Sequence, residues 1–158
     1  MITIERAESN YVNPLVRFVT EDAIALLLNI PVTEIKEIRC WPNVILVIAE
    51  HLVRFVSYAD LPPILEAAPP TNQDILTWRK RWRKQKTHKA PEFWKEFYSQ
   101  KFRQANSSAQ LYAWGRLINI LKFAFSHERL ESLRNVFRTC RTLLTSPVSH
   151  LKNSKILA

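Results

Sequence analysis

The chain has 158 residues, of which 47% are hydrophobic, and its formal net charge is +9. This length suits one compact domain or two small ones, and the apolar content excludes low-complexity disorder. Gly115 is the single glycine. Phosphate-cradling loops and dinucleotide-binding fingerprints need several glycines, because only glycine lets the backbone approach a phosphate closely. Both classes of site are therefore excluded.

Charge is divided unevenly along the chain. Residues 1–70 contain nine acidic and five basic side chains, a net charge of −4. Residues 71–158 contain five acidic and eighteen basic side chains, a net charge of +13. This asymmetry predicts a polyanionic partner, in particular DNA or RNA, for the second half of the chain and not for the first.

The composition is typical of a soluble cytoplasmic protein. Cys40 and Cys140 form no CxxC pair, so buried free thiols are predicted in place of a zinc site or a disulfide framework. Charged side chains among the first ten residues argue against a signal peptide. The longest apolar run, residues 44–49, is far shorter than the roughly 20 residues of a membrane helix. No cofactor and no membrane association are predicted.

The first predicted elements are a helix and a small antiparallel sheet. Thr20 is placed to cap a helix that Pro31 ends. Strand-like runs follow at residues 35–40 and 44–49, separated by a Trp-Pro-Asn turn. The second run is apolar throughout, which predicts a strand covered on both faces. A third run, residues 52–58, either pairs back as a hairpin or continues the second run as one bent strand.

Helices alone are predicted beyond the prolines at positions 62, 63, 69 and 70. The four predicted helices span residues 74–86, 92–105, 106–125 and 127–144. The last two are amphipathic and are joined by a tight turn, which predicts an antiparallel pair.

The predicted fold class is α+β. A small N-terminal unit of one helix plus an antiparallel sheet is followed by a C-terminal module of four helices with an aromatic core. The domain boundary is placed between an acidic unit, residues 1–68, and a basic unit, residues 69–158.

The densest local charge lies in the first of the four C-terminal helices. From residue 79 to residue 89 the chain carries seven basic residues, one histidine and no acid. Such density is typical of phosphate contacts, because each neutralised phosphate releases condensed counterions. The candidate nucleic-acid-binding residues are Arg79, Lys80, Arg81, Arg83, Lys84, Lys86 and Lys89. A solvated helix face, or a docking surface for an acidic protein or for the acidic half, are the alternatives.

The last helix supplies three further candidates. Arg134, Arg138 and Arg141 recur at helical spacing on its polar side, and guanidinium rows of this kind suit phosphates or guanine edges. They are predicted to support the binding of nucleic acid. An ordinary exposed helix face is the alternative, and no sequence signature establishes a helix-turn-helix unit.

Aromatic residues accompany the basic ones. Trp78 and Trp82 share one helix face, where base stacking would be worth about 1–3 kcal/mol each. Burying an indole is worth roughly 4–6 kcal/mol before entropy is counted. Both tryptophans are therefore predicted to belong to the core, from which they direct the arginines outward. A second aromatic band at residues 93–102 is also predicted to be core.

Signals for catalysis are thin, and no catalytic or metal-binding residue is predicted. The four histidines are scattered without metal-ligand spacing. Glu34-Ile35-Lys36 lies on a predicted strand and resembles the metal-binding half of restriction-type nucleases. That family places its aspartate on the preceding strand, whereas Asp22 is predicted to open a helix. A nuclease is therefore the lesser alternative to a protein without enzymatic activity.

These patterns predict a non-enzymatic nucleic-acid-binding accessory or regulatory protein that grips phosphates through its basic half. The single short N-terminal helix can cover only one face of the sheet, so the N-terminal half is expected to dimerise or to recruit a protein partner. The alternative is an assembly or adaptor protein whose basic helices dock on an acidic protein.

Overall fold

The computed structural model describes residues 1–5 and 11–146. The strands are β1 (Ile2–Ile4), β2 (Ile35–Cys40), β3 (Ile45–Ala49) and β4 (Val53–Val56). The helices are α1 (Glu21–Leu28), α2 (Asn72–Lys84), α3 (Phe93–Gln104), α4 (Ser108–Ile120) and α5 (His127–Thr145). The predicted α+β class with a C-terminal helical module is confirmed.

The chain folds into two compact units, Met1–Phe93 and Trp94–Ala158, which we call the N-terminal and C-terminal units. The helix α2 belongs to the N-terminal unit, whereas the boundary drawn from the sequence at residue 68 assigns it to the basic half. Two contacts between distant residues attach α2, namely the ion pair of Arg17 with Asp74 and the ring contact of Phe18 with Trp78. Contacts of this kind leave no local pattern in a sequence.

The four strands form one sheet in the order β1-β2-β3-β4. β3 is antiparallel to both of its neighbours. A hydrogen bond of 2.8 Å from the Ala49 N–H to the Leu52 carbonyl closes the hairpin between β3 and β4, so the bent-strand alternative is wrong. β1 pairs parallel with β2 and makes the sheet mixed. It was not predicted, because three residues are too few for a periodic pattern.

Within the described residues the sheet is fully covered on one face only, whereas the sequence predicts that β3 is covered on both faces. Every second side chain of β3 is buried, while Leu46 and Ile48 between them are half-buried. The register places Phe55 beside Leu46 and Val53 beside Ile48. Phe55 is 61% exposed and Val53 is 66% exposed. We call Leu46, Ile48, Val53 and Phe55 the open sheet face.

Hydroxyl side chains cap the start of three helices. Thr20, Ser107 and Ser126 each accept a hydrogen bond from a backbone N–H in the first turn of α1, α4 and α5, at 3.1–3.3 Å. Capping of this kind satisfies an N–H that has no partner inside the helix. α4 ends at Ile120 and not at residue 125, because a short 3-10 turn, Lys122–Ala124, follows it.

The C-terminal unit is built on aromatic contacts. Trp94 and Tyr98 of α3 both meet Phe125 edge-on, with ring centroids 6.5 and 6.2 Å apart. Trp114 of α4 lies 6.1 Å from Tyr98. Such pairs add to the burial of aromatic area. Four of the five predicted aromatic residues of α3 are buried, and Phe93 is half-buried and belongs to the N-terminal unit.

Other predicted features concern single residues. Cys40 and Cys140 are free and buried, and burial raises the pKa of both thiols.

None of the described helices is both long and apolar enough to cross a membrane. Within residues 1–5 and 11–146, no group of three or more His, Cys, Asp or Glu side chains is placed to hold a metal ion.

Candidate nucleic-acid interface

α2 is anchored at its first turn and along its inner face. Thr71 and Asp74 form a capping box, and Asp74 also accepts hydrogen bonds from the Arg17 guanidinium. Trp78 and Trp82 are completely buried and stack with ring centroids 6.4 Å apart. The prediction that these tryptophans belong to the core is confirmed. Their burial fixes which side of α2 faces solvent.

The seven predicted basic residues lie on the solvent side of α2 and in the loop that follows this helix. We call Arg79, Lys80, Arg81, Arg83, Lys84, Lys86 and Lys89 the cationic segment. Five of its members are exposed, and Arg81 and Lys89 are half-buried. Lys80, Arg83, Lys84 and Lys86 form no ion pair with a carboxylate of the described residues. These four ammonium and guanidinium groups can meet a phosphate without first breaking an ion pair of the described residues.

Arg81 differs from the rest of the cationic segment. Its guanidinium lies 3.4 Å from the Asp60 carboxylate, whose side chain is only 16% exposed. Burial raises the pKa of Asp60, and the charge of Arg81 partly offsets that effect. A cation that neutralises a buried carboxylate is costly to withdraw. The structure therefore gives Arg81 a structural role in the N-terminal unit, which sequence reasoning missed because Asp60 lies far away along the chain.

The C-terminal end of α2 accounts for part of the positive charge of the cationic segment. Arg81, Arg83 and Lys84 lie in the last turn of α2, where cations interact favourably with the helix dipole. Lys86 follows with a φ of 63°. The Thr87 N–H donates to the Trp82 carbonyl and the Lys86 N–H to the Arg83 carbonyl, both at 3.0 Å. This is a Schellman motif in which lysine occupies the position where glycine is usual.

The three arginines predicted on the last helix lie beside a groove between α4 and α5. The groove has a volume of about 370 Å³. Its apolar lining consists of Phe102, Ile118, Leu130, Leu133 and Phe137. Its charged lining consists of Arg116, Arg134, Arg138 and Arg141. We call this feature the arginine groove; it lies entirely within the C-terminal unit.

Incomplete packing between the two helices opens the arginine groove. Only Leu133 and Cys140 of α5 are buried, so Leu130 and Phe137 on its predicted apolar face stay partly exposed. A Cβ atom at Gly115 would approach the Phe137 ring to 2.9 Å. The ring can lie against the backbone of α4 only because residue 115 has no side chain.

Two of the groove arginines are held by neighbours on α5. Arg134 forms an ion pair with Glu131, and its hydrogen bond lowers the pKa of that carboxyl. Arg138 donates to the Asn135 side-chain oxygen at 3.0 Å. Both contacts are exposed or partly exposed and leave the guanidinium groups at the groove. They limit rotation of the side chains and thereby reduce the entropy lost on binding an anion.

Sequence reasoning missed two residues that line the groove. Arg116 and Tyr112 lie on α4, opposite the arginines of α5. Tyr112 is 43% exposed, and its ring centroid lies 5.5 Å from that of Phe137. The sequence pattern placed α4 and α5 side by side but carried no information on which residues of the two helices meet.

Comparison with known proteins found no matching family model, no similar curated protein and no similar solved structure.

Proposed function

We propose that this chain is a non-enzymatic, cytoplasmic accessory protein that binds nucleic acid through its basic residues. The observation that carries the proposal is the cationic segment, an acid-free series of mostly exposed basic side chains on a helix whose inner face is fixed by two buried tryptophans. Arg134, Arg138 and Arg141 add a second cationic surface on the C-terminal unit.

The charge pattern supports phosphate as the ligand. Solubility is commonly achieved with mixed basic and acidic faces, whereas the cationic segment contains no acid. Each lysine or arginine that neutralises a phosphate releases counterions, so the affinity should fall steeply with salt. A rigid helix that presents its cations outward loses less entropy on binding than a flexible basic tail does.

The test is fluorescence anisotropy with labelled duplex DNA, single-stranded DNA and RNA between about 50 and 200 mM salt. The variant is Lys80→Gln with Lys84→Gln, which removes two exposed cations that form no described ion pair. The matched control is Lys36→Gln with Arg54→Gln, which removes the same charge from exposed positions on β2 and β4. Circular dichroism checks the folding of both.

We expect the α2 double variant to lower the slope of log affinity against log salt by about 1.8 on a duplex, or about 1.4 on a single strand. The control should retain the wild-type slope. Arg81 is left unchanged because its substitution would disturb the ion pair with Asp60. An absence of binding to all three polymers at low salt, or equal losses in variant and control, would contradict the proposal.

A second function, association through the N-terminal unit, is favoured by the open sheet face. Two of its four apolar side chains belong to the edge strand β4, whose outer backbone groups pair with no strand among the described residues. Exposed apolar patches and free edges are typical of interaction surfaces. We propose that a second copy of the chain covers this face, because two open sheet faces packed on each other would remove the exposed apolar side chains of both copies from water.

Light scattering over a range of protein concentrations tests this second function. We expect a dimer mass for the wild type and a monomer mass for Phe55→Thr, which keeps a strand-forming residue but removes the exposed ring. Leu76→Gln on α2 is the control, since Leu76 is 59% exposed in the same unit. A wild type that stays monomeric, or equal effects of both variants, would leave the face to another protein.

A further inference from the structure

The arginine groove combines two chemical features, whereas the cationic segment has only one of them. Its lining is apolar and aromatic, and four guanidinium groups border it. A ligand that matches both carries an apolar part and a negative charge close to each other. Simple phosphate contacts would need only the arginines, and an apolar ligand would need only the lining.

The aromatic side chains of the described residues that stay well exposed are Phe55 on the open sheet face, Tyr11 near the N-terminus and Tyr112 at the groove. Trp78, Trp82 and Trp94 are fully buried and cannot stack on a ligand. Tyr112, in contrast, is 43% exposed at the groove, and its ring stands at 69° to the half-buried ring of Phe137. Two rings at this angle offer one flat face and one edge to a planar group that enters between the helices.

We propose that the arginine groove binds an unpaired nucleotide of a nucleic-acid strand, with the base against Tyr112 and Phe137 and the flanking phosphates on Arg138 and Arg141. This inference rests on the proposed function and deepens it, because it makes single strands or unpaired loops the substrate. A base inside a duplex is stacked on both faces and paired along one edge, so it cannot enter the groove.

The size of the groove supports this ligand. A volume of about 370 Å³ lies at the lower end of the range for small-ligand sites and accommodates a single nucleotide. Arg138 and Arg141 project from successive turns of α5, about 4.5 Å apart along the helix axis, and can contact the same or neighbouring phosphates. Arg116 faces them from α4.

An acidic amphipathic helix is the competing occupant. Such a helix needs a groove that takes three or four apolar anchors spread over more than two turns. The apolar lining of α5 extends only from Leu130 to Phe137, which is about two turns of helix. The exposed tyrosine ring also suits a flat base better than an aliphatic side chain.

The experiment compares the full chain with three variants by fluorescence anisotropy at low salt. The probes are a labelled single strand of about 12 nucleotides and a duplex of the same sequence. Tyr112→Ala removes the exposed ring, and Tyr112→Phe restores it without the hydroxyl. Ile120→Ala is the control, because Ile120 is an exposed apolar residue on the same helix, 49% accessible and outside the groove lining.

We expect Tyr112→Ala to weaken binding of the single strand about ten-fold while changing duplex affinity less than two-fold. Tyr112→Phe and Ile120→Ala should bind like the wild type, and the salt slope should not change, because no cation is removed. Competition with unlabelled mononucleotide should displace the strand weakly, since the neighbouring phosphates are missing.

The remaining outcomes separate the two proposals. If the chain binds nucleic acid but Tyr112→Ala has no effect, the groove inference is wrong and the proposed function stands. If no polymer binds, both are wrong. If an acidic amphipathic peptide displaces the strand with equal or higher affinity, or a mononucleotide binds tightly where the strand does not, the groove has a different ligand and the inference is overturned.

Discussion

Asp74 is the one buried charged side chain among residues 1–5 and 11–146, with 3% of its side chain exposed. Burial raises the pKa of this carboxyl, but hydrogen bonds from Arg17 and the Thr71 backbone outweigh burial and lower it overall. Arg17 also donates to the carbonyls of Ala68 and Pro69, both at 3.1 Å. One ion pair thus fixes both the start of α2 and the segment that leads to it.

Replacing Asp74 by Asn should lower the free energy of unfolding at pH 7 by about 2–3 kcal/mol. This is less than the roughly 3–5 kcal/mol lost with a fully buried pair, because Arg17 keeps its carbonyl partners and is 21% exposed. A lowered carboxyl pKa stabilises the fold above the unfolded-state value of 3.8. That contribution is lost as pH falls through the folded-state pKa.

The difference between wild type and Asp74→Asn in urea unfolding should therefore be constant from neutral pH to about pH 5 and shrink below it. A difference that stays constant down to pH 3 would show that Asp74 acts through its shape and not through its charge.

Gly115 is the other residue whose role depends on one neighbour. Gly115→Ala gains about 1 kcal/mol of helix propensity but forces the Phe137 ring away from a contact at 2.9 Å. Overpacking usually costs about 1–3 kcal/mol, so we expect a net loss of stability near 1 kcal/mol. In the Phe137→Leu background the same substitution should become stabilising. Thermal or urea unfolding of the four proteins measures this coupling, and additive effects would contradict it.

At the level of elements, the C-terminal end of α2 combines a structural and a proposed binding role. A non-glycine residue in the left-handed region costs roughly 1–2 kcal/mol, and Lys86 occupies that region at the Schellman position. Asn29 takes the equivalent position after α1 with a φ of 55°. In a chain with a single glycine, asparagine and lysine thus end two helices where glycine would serve at lower cost.

Lys86→Gly should raise the free energy of unfolding by about 0.5–1 kcal/mol. The relief of backbone strain at residue 86 should outweigh the additional chain entropy that glycine loses on folding. Lys84→Gly removes the same charge within the helix and should lower it by a similar amount. Both should weaken nucleic-acid binding alike if the cationic segment contacts phosphate. If the two variants shift stability in opposite directions but shift the salt slope equally, the loss of charge and not a change in folding weakens binding. If both variants destabilise the protein, the backbone strain assigned to Lys86 is contradicted.

At the level of the whole molecule, charge is distributed differently in the two units. The N-terminal unit contains eleven acidic and twelve basic residues, whereas the C-terminal unit contains three acidic and eleven basic residues. Most acidic residues of the N-terminal unit precede α2. The near-neutral net charge of this unit therefore does not reveal the separate cationic segment. The C-terminal unit is basic throughout. Each unit therefore offers a positive surface of its own.

Neutralising two basic side chains in either unit should weaken nucleic-acid binding only in part. Lys80→Gln with Lys84→Gln, and Arg138→Gln with Arg141→Gln, should each lower the salt slope by about 1.4–1.8, and the combination should lower it by about twice that amount. Anisotropy titrations at several salt concentrations measure the slopes. Complete loss of binding from one pair alone would show that one unit carries the whole interaction.

The sequence by itself determined the elements that depend on neighbours along the chain. Helix starts at Thr20, Ser107 and Ser126 follow from the hydrogen bond that a capping hydroxyl accepts within one turn. The strands from residue 35 onward follow from runs of apolar and β-branched residues. The burial of Trp78 and Trp82 follows from the large apolar area of an indole.

Only the tertiary structure decided what depends on distant partners. It paired Arg81 with Asp60, set β1 parallel to β2, left one sheet face open and placed Tyr112 and Arg116 at the arginine groove. Local periodicity shows which side of a helix or strand is apolar, but it does not show which element covers that side or how completely. That is decided by how the folded chain brings distant segments together, and such contacts have no signature in a single sequence.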